Sequence, residues 1–309
     1  MREKFRAGAA ALALLVGGVG TAAAKAPTKA AAPALPPEAQ RFLDGLHPQT
    51  GDVRIPEAKA VLHLGARYYF LPAAEAKRVL TDVWQNPPES VSNVLGLVME
   101  EGTNAFQNIW GAVITYEDTG HVFDKDAKEE DYDAVLTSLR DGEEQANEQR
   151  KAAGFPTMHL VGWAQPPSYN PGEHSLIWAR ELAGDGADQK EHGLNYDVRL
   201  LGRTGVLSLN MVSGMSSLGE VRTAAADFGH AAAFEPGAAY ADFDKSTDKT
   251  AEFGLAGLVA GGVAVAAVKK LGLLALILKF GKVIAIGAIA MAGTGWSFLK
   301  RLVRRNDAA

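Results

Sequence analysis

The side chains that could take part in catalysis in this chain are chiefly its histidines, because the sequence contains no cysteine. Disulfides, thiolate nucleophiles and cysteine metal sites are therefore excluded. The seven histidines are dispersed, and no two stand four residues apart as a metal-binding pair on one helix face would. They are His47, His63, His121, His159, His174, His192 and His230. We expect each to be a surface residue or one satisfied by its neighbours.

A hydrolase would need a base that accepts a proton near neutral pH, and a histidine beside a carboxylate meets that need. The candidates are His159 and His121, with carboxylates from the acidic segment 124–133. The sequence contains none of the motifs HExxH, GxSxG, GxxxxGK[ST] and GxGxxG. It therefore does not support, in the same order, a zinc protease, an α/β-hydrolase, a P-loop protein or a dinucleotide-binding protein. We predict no cofactor, and an envelope hydrolase is the alternative to a non-enzymatic protein.

Two acidic segments could supply oxygen ligands to a hard cation such as Ca²⁺. They contain Asp124, Asp126 and Glu130 in the first segment and Asp242, Asp244 and Asp248 in the second. Neither segment has the glycine that an EF-hand loop carries at its sixth position. Because aspartate-rich loops are usually solvated turns or helix caps, we predict no metal site.

Two aromatic residues, Trp163 and Tyr169, flank a short segment with two prolines at the end of a predicted strand. Such a stiff segment could form one wall of a binding groove. The alternative is structural, since prolines block pairing at sheet edges and aromatic rings fill core corners.

A polar set in a later strand is the other candidate for binding. Asn195, Asp197 and Arg199 share a strand face because side chains alternate, and Arg203 would join them if the strand ran straight. An arginine can hold a carboxylate or phosphate through two hydrogen bonds. The favoured interpretation is an internal salt bridge, and the alternative is ligand binding by Asn195, Arg199 and Arg203.

The elements that position these residues predict an α+β domain with a mixed or antiparallel sheet and flanking helices. We predict strands at 60–65, 67–71, 94–99, 110–116, 121–123, 158–163, 175–179, 196–201 and 205–212, and helices at 73–84, 130–153 and 218–232. The domain spans residues 51–252, with a possible subdivision near residue 155.

The N-terminal end has the three parts of a signal peptide. A basic start is followed by an apolar stretch and a run of small residues that ends at Ala24. We predict a signal peptide at 1–24 and an Ala/Pro-rich linker at 25–50, with an uncleaved anchor as the alternative.

The C-terminal end, residues 253–305, is apolar and contains no acidic residue. We predict a membrane anchor there, with a single crossing at 283–299 and with 253–268 in the interface or packed against that crossing. A two-helix hairpin in the membrane and a soluble amphipathic helix are the alternatives.

The charge is divided unevenly along the chain. Residues 25–252 hold 20 basic and 34 acidic side chains, a net charge of −14, although the whole chain is only at −5. A domain this acidic repels nucleic-acid phosphates, so nucleic-acid binding is not expected.

Several segments together resemble a known bacterial family. They are DKDA at 124–127 after GHV at 120–122, GWAQPPSY at 162–169, LNYDVR at 194–199, LGRTGVL at 201–207 and FEPGAAYADF at 234–243. From about Gly51 to the apolar tail, the chain resembles DUF2167, membrane-anchored proteins of unknown function. Gln165 and Asn170 stand where that family often has acidic residues, and the resemblance implies no catalytic residue.

Taken with the apolar tail, the resemblance implies a protein of the bacterial inner membrane whose main domain faces the periplasm or the cell exterior. The expected partners are the lipid bilayer, through residues 253–305, and an envelope protein. We predict a binding or envelope-support module.

Overall fold

The structure, a computed structural model, describes residues 35–107, 109–125, 127, 131–152, 154–185 and 191–261. The helices are α1 Pro37–Asp44, α2 Ala73–Arg78, α3 Tyr132–Asp141, α4 Glu143–Ala152, α5 Leu218–Ala231 and α6 Leu255–Val259. The strands are β1 Asp52–Ile55, β2 Ala60–His63, β3 Tyr68–Pro72, β4 Gly96–Glu100, β5 Gly111–Glu117, β6 Met158–Asn170, β7 Ser175–Gly184, β8 Gly193–Leu201, β9 Val206–Gly214 and β10 Ala232–Phe234.

The strands form two antiparallel sheets. The larger sheet has seven strands in the order β3-β4-β5-β9-β8-β7-β6, and the smaller has three in the order β1-β2-β10. All pairings between these strands are antiparallel. The predicted α+β class is confirmed, and of the two predicted sheet types, mixed or antiparallel, the structure has the antiparallel one. The large sheet contains strands from both sides of residue 155.

One face of the large sheet packs against α5 and the small sheet. Phe228 of α5 is fully buried, and its ring centroid lies 4.8 Å from that of Tyr68 and 5.9 Å from that of Trp110. Leu62 of β2 and Tyr196 of β8 belong to the same apolar cluster. Burial of these large side chains is the main stabilising contribution on this face.

The opposite face is covered by two separate apolar clusters. Near β4, it packs against α2 and the π-helical turn Val79–Val83, with Leu80 and Leu97 in contact within one cluster. Near β7, it packs against α3 and α6, where Val135 and Leu255 join Trp178 in a second cluster. Polar side chains occupy the middle of this face.

The edge strand β6 is protected by side chains from α3 and α4. The amide of Asn147 donates to Met158 O at 2.7 Å and accepts from Met158 N at 2.8 Å, as a neighbouring strand would. Glu143 accepts from the backbone N–H of Leu160 at 3.0 Å. Together with the prolines further along β6, these bonds restrict pairing with another chain at this edge.

Asn147→Ala should lower the free energy of unfolding by about 1–3 kcal/mol, because it leaves a backbone donor and acceptor of β6 without partners. Urea unfolding followed by circular dichroism measures the change. Gln149→Ala, on the exposed side of α4, is the matched control and should change stability by less than about 0.5 kcal/mol. Equal losses in the two variants would contradict the protective role of Asn147.

Three predicted elements differ in the structure. The segment 121–123 is not a strand, since His121 forms only an isolated bridge with Thr250, a contact that local alternation cannot reveal. The predicted helix 130–153 is divided at Gly142 into α3 and α4, and Asp131 caps α3 by accepting from Ala134 N at 3.0 Å. The predicted helix 73–84 becomes α2 followed by the π-helical turn.

The ends of the domain also extend beyond the predicted boundaries. The range 25–50 contains α1, whose Phe42 packs edge-to-face on Phe106 with ring centroids 5.8 Å apart. At the other end, α6 is buried in the domain core although it lies within the range 253–305. The predicted signal peptide 1–24 and residues 262–305 lie outside the described residues.

Across the described ranges, every helix is too short or too polar to cross a bilayer.

Candidate functional site

Three of the five candidate binding residues, Trp163, Asn195 and Arg199, lie together on one face of the large sheet, and Tyr169 lies further along the same face. In the strand pairing, Trp163 lies opposite Arg180, and Arg180 lies opposite Asn195. The side chains of Trp163, Arg180 and Asn195 therefore share this face. The next rows contain Asp197 and Arg199. The face, called the polar face below, carries Trp163, Trp178, Arg180, Asn195, Asp197, Arg199, Ser208 and Asn210. The structure thus places Asn195, Asp197 and Arg199 together, as strand alternation predicts.

The carboxylate of Asp197 lies at the centre of the polar face and is fully buried. Its Oδ2 accepts from Arg180 Nη2 at 3.1 Å, and its Oδ1 accepts from Arg199 Nη2 at 2.9 Å and from Asn210 Nδ2 at 2.8 Å. Arg199 Nη1 also donates to Glu117 Oε1 at 3.2 Å. Two arginines and two carboxylates balance in charge, and Arg199 takes part in the internal ion pairing that the sequence favoured.

Several polar atoms of this network are buried but unpaired within the described part of the chain. Four N–H donors lack a partner: Nε1 of Trp163, Nε1 of Trp178, Nε of Arg180 and Nε of Arg199. The one acceptor of the polar face in the same condition is Oδ1 of Asn210. Because buried polar groups are normally hydrogen-bonded, this excess of donors marks the polar face as a candidate binding site.

Tyr169 lies opposite Leu176 near the end of β6, in a group at the end of the sheet that we call the histidine–tyrosine cluster. The cluster consists of His121, Asp124, Tyr169, His174, Tyr240 and Phe243. The His121 ring stacks on Phe243 with centroids 4.0 Å apart, and the His174 ring stacks on Tyr240 at the same separation. Segments distant in sequence meet here, including most of those that carry the family resemblance.

Hydrogen bonds hold the acid of this cluster in place. The hydroxyl of Tyr169 donates to Asp124 Oδ2 at 2.7 Å and lies 3.2 Å from His174 Nδ1. Burial, followed by the Asp124 carboxylate, raises the pKa of Tyr169 far above its ordinary value. Burial alone would raise the pKa of Asp124, but hydrogen bonds from Tyr169 and Tyr240 outweigh it and lower that pKa. Neither group is tuned toward proton transfer at neutral pH.

The two histidines proposed for a hydrolase occupy unlike environments. His121 is buried, with Nδ1 3.2 Å from the backbone oxygen of Arg203, and burial lowers its pKa. His159 lies on the surface, where Nε2 is 3.1 Å from Asp185 Oδ2 and Nδ1 contacts Glu143. Hydrogen bonds to Asp185 and then Glu143 raise the pKa of His159.

Arg203 does not reach the polar face, because β8 ends at Leu201 and the chain then turns. Its guanidinium instead binds Asp248 through Nε at 2.7 Å and Nη2 at 3.0 Å. That pair of hydrogen bonds is the main cause that lowers the pKa of Asp248. The expectation that Arg203 shares a face with Asn195 and Arg199 is therefore wrong.

The carboxylates of the second acidic segment are engaged in local turns. Asp242 Oδ2 accepts from Ala239 N at 3.0 Å, and Asp244 Oδ1 accepts from Ser246 N at 2.8 Å. In the described residues no three histidine or acidic side chains are grouped to hold a metal ion. Asp126 and Glu130 of the first segment lie outside those residues.

His159 and His121 should titrate on opposite sides of the ordinary histidine pKa of about 6.5. The stability that His159 contributes is present at low pH and is lost as the pH rises through its raised pKa. The contribution of His121 is present above pH of about 6.5 and is lost as the pH falls toward its lowered pKa. NMR titration of the imidazole C–H signals measures both midpoints, and assignments come from His159→Gln and His121→Asn. Coinciding midpoints would contradict this prediction.

Parts of both sites were not predicted from the sequence. Trp178, Arg180 and Asn210 complete the polar face, and His174 completes the histidine–tyrosine cluster. Asn210 could have been identified from the sequence, since it is a polar residue inside the apolar strand 206–212. The sequence around His174 gives no comparable indication, and its left-handed backbone, with a φ of 50°, is seen only in the structure. Such a backbone conformation is uncommon for residues other than glycine.

Comparisons with known proteins give one family. A family model described as "Protein of unknown function (DUF2167)" matches residues 47–293. No curated protein sequence matches the chain. The solution structure of cyanobacterial PsbP (CyanoP) from Synechocystis sp. PCC 6803 is similar with 8% sequence identity and a TM-score of 0.33, over 62% of this chain and 92% of that one. A TM-score this low does not establish a shared fold, so nothing further follows from that likeness.

Proposed function

The chain belongs to the DUF2167 family, described as being of unknown function, and we propose that it is a membrane-anchored binding module outside the cytoplasm. The geometry of the described residues supports the binding role, and the sequence supports the location. The module binds a ligand or an envelope protein and does not catalyse a reaction. The observation that carries this proposal is the polar face, where fixed side chains on rigid strands present unpaired hydrogen-bond donors. Sites built on regular elements hold their geometry better than sites on loops.

The state of the acid–base groups supports binding over catalysis. A general base works best when its pKa is close to the working pH and when it can reach a substrate proton. Both ring nitrogens of His159 already contact carboxylates, and His121 is buried between aromatic rings with its pKa lowered. In the histidine–tyrosine cluster, Tyr169 stays protonated and Asp124 stays ionised at neutral pH.

The envelope hydrolase remains the second candidate, and one observation favours it. His159 lies within hydrogen-bonding distance of Asp185, as a histidine base beside a carboxylate requires. A hydrolase of this kind would lose its activity in His159→Gln. The binding module predicts that His159→Gln leaves partner binding unchanged.

The sequence supports the location. An acid-free apolar region at 253–305 favours lipid, and a domain with a net charge of −14 favours water away from anionic headgroups. We propose the bacterial inner membrane, with the domain in the periplasm or at the cell exterior and the tail as its anchor. A single crossing at 283–299 leaves the basic residues near the C-terminus inside, in agreement with the positive-inside rule.

The test is protease treatment of intact spheroplasts from cells that express a C-terminally tagged chain. We expect external protease to remove residues 25–252 and to leave the tagged tail protected. A chain truncated after residue 261 is the matched control and should be released from the membrane. Full-length chain extracted by alkaline carbonate, or found in the cytosol with its leader intact, would contradict the proposed anchoring. Affinity capture of the tagged chain then identifies envelope proteins bound to the domain.

A further inference from the structure

The unpaired groups of the polar face differ in kind, since four are donors and one is an acceptor. A ligand that satisfied them would have to bring mainly acceptor oxygens. We propose that the polar face binds the oxyanion group of a small ligand, a carboxylate or a phosphate. This inference rests on the proposed function as a binding module and names the chemical class of its ligand.

The two arginines are held in place before any ligand binds. Arg180 and Arg199 donate to different oxygens of Asp197, and the Arg199 guanidinium also lies 5.4 Å from the centroid of the Trp178 ring. Each arginine keeps an unpaired Nε–H, while Nη2 of Arg180 and both terminal nitrogens of Arg199 are hydrogen-bonded. Fixed donors lose little conformational entropy on binding, and this favours affinity.

The indole groups add donors without adding charge. Trp178 is almost completely buried and lies opposite Asp197 in the sheet, and Trp163 lies opposite Arg180. Trp178 thus shares a row with Asp197, and Trp163 shares a row with Arg180, so both stand beside the Arg180–Asp197 ion pair. An oxyanion has enough lone pairs to accept from several such donors at once.

Charge sets a limit on the ligand. Asp197 of the polar face and the adjoining Glu117 balance the two arginines, so this network without ligand has no net charge to attract an anion. The surrounding domain, at −14, repels highly charged anions. We therefore expect a ligand with a single carboxylate or phosphate group, and we do not expect a polyphosphate or a nucleic acid.

Two side chains of the network, those of Arg180 and Glu117, are partly exposed. The side chain of Arg180 is 14% exposed and that of Glu117 is 16% exposed, whereas Asp197 between their rows is fully buried. Solvent thus reaches the network at Arg180 and Glu117, and we expect a ligand to enter beside them.

The test measures the thermal unfolding midpoint of the full chain, purified in detergent, with sodium acetate, sodium phosphate or sodium chloride at equal ionic strength. With the anion at ten times its dissociation constant, the site should raise Tm by about 3–6 °C in acetate or phosphate, and the rise should saturate. Arg180→Met should abolish that rise while remaining folded by circular dichroism. Arg54→Met is the control, because Arg54 is mostly exposed and lies in β1 of the small sheet. This variant should keep the rise in Tm.

Each outcome has a definite meaning. A saturable rise with acetate alone identifies a carboxylate ligand, and a rise with phosphate alone identifies a phosphate ligand. An equal rise in chloride, no rise in either anion, or a rise that Arg180→Met retains would overturn the oxyanion site. If the oxyanion site fails but envelope proteins still bind the domain in affinity capture, the proposed function stands without this ligand. If the oxyanion binds but the chain proves to be cytosolic, only the proposed location fails.

Discussion

Asp197→Asn should lower the free energy of unfolding by about 3–5 kcal/mol. This is the largest loss that we expect in this chain from replacing one carboxylate by an amide. The substitution keeps the size of the side chain and removes one negative charge. Arg180 and Arg199 then remain in the sheet with less compensating charge, and both depend on the Asp197 oxygens for hydrogen bonds. Removing one member of a buried ion pair costs far more than removing an exposed charge.

Urea unfolding of the purified protein, followed by circular dichroism and tryptophan fluorescence, measures this change. Glu57→Gln alters an exposed carboxylate in the same way and serves as the matched control, with an expected change below about 0.5 kcal/mol. A loss below about 1 kcal/mol for Asp197→Asn would mean that water solvates these arginines. The central role of Asp197 in the polar face would then be wrong.

Phe228→Ala should cost about 3–5 kcal/mol, because it leaves a cavity where α5, the small sheet and the large sheet meet. The ring is fully buried and contacts both Tyr68 and Trp110. Few neighbours can move to fill the space, since they belong to three different elements. Truncation at such a position combines the lost transfer energy of the ring with the cost of the cavity.

Differential scanning calorimetry and urea unfolding both report this loss. Phe228→Leu keeps most of the apolar volume and should cost less than half as much as Phe228→Ala. Equal losses for the two variants would indicate that the shape of the aromatic ring, and not the volume that it fills, stabilises this junction. Because Phe228 belongs to the cluster on the other face of the sheet, neither variant should change the response of the polar face to anions.

The losses of stability predicted for Asp197→Asn and Phe228→Ala arise on opposite faces of the sheet, so the two variants can distinguish effects on stability from effects on binding. Asp197 belongs to the polar face, whereas Phe228 lies in the apolar cluster on the opposite side of the same sheet. A variant of Phe228 that unfolds more easily but still responds to acetate or phosphate would show that the two faces act independently. That result would support a rigid sheet that carries its binding groups on one side.

Local sequence patterns located most of the sheet. Alternation placed Asn195, Asp197 and Arg199 on one face, because side-chain direction in a strand depends only on residue spacing. The same alternation could not foresee that β8 ends at Leu201, so Arg203 was assigned to the wrong neighbours. Gly142 was likewise insufficient to indicate the division between α3 and α4, since isolated glycines occur within helices.

Periodicity and composition are local properties, and they were sufficient to predict the α+β class and the division between an acidic body and an apolar tail. They left open whether the sheet is mixed or antiparallel. Which strands pair, and which residues meet, depends on contacts between distant segments, and these are seen in the folded structure. It brought Arg180 to Asp197 and His174 to Asp124 through strand register and loop packing. The physical reason is that 34 acidic side chains in residues 25–252 are equivalent partners for an arginine until folding selects one.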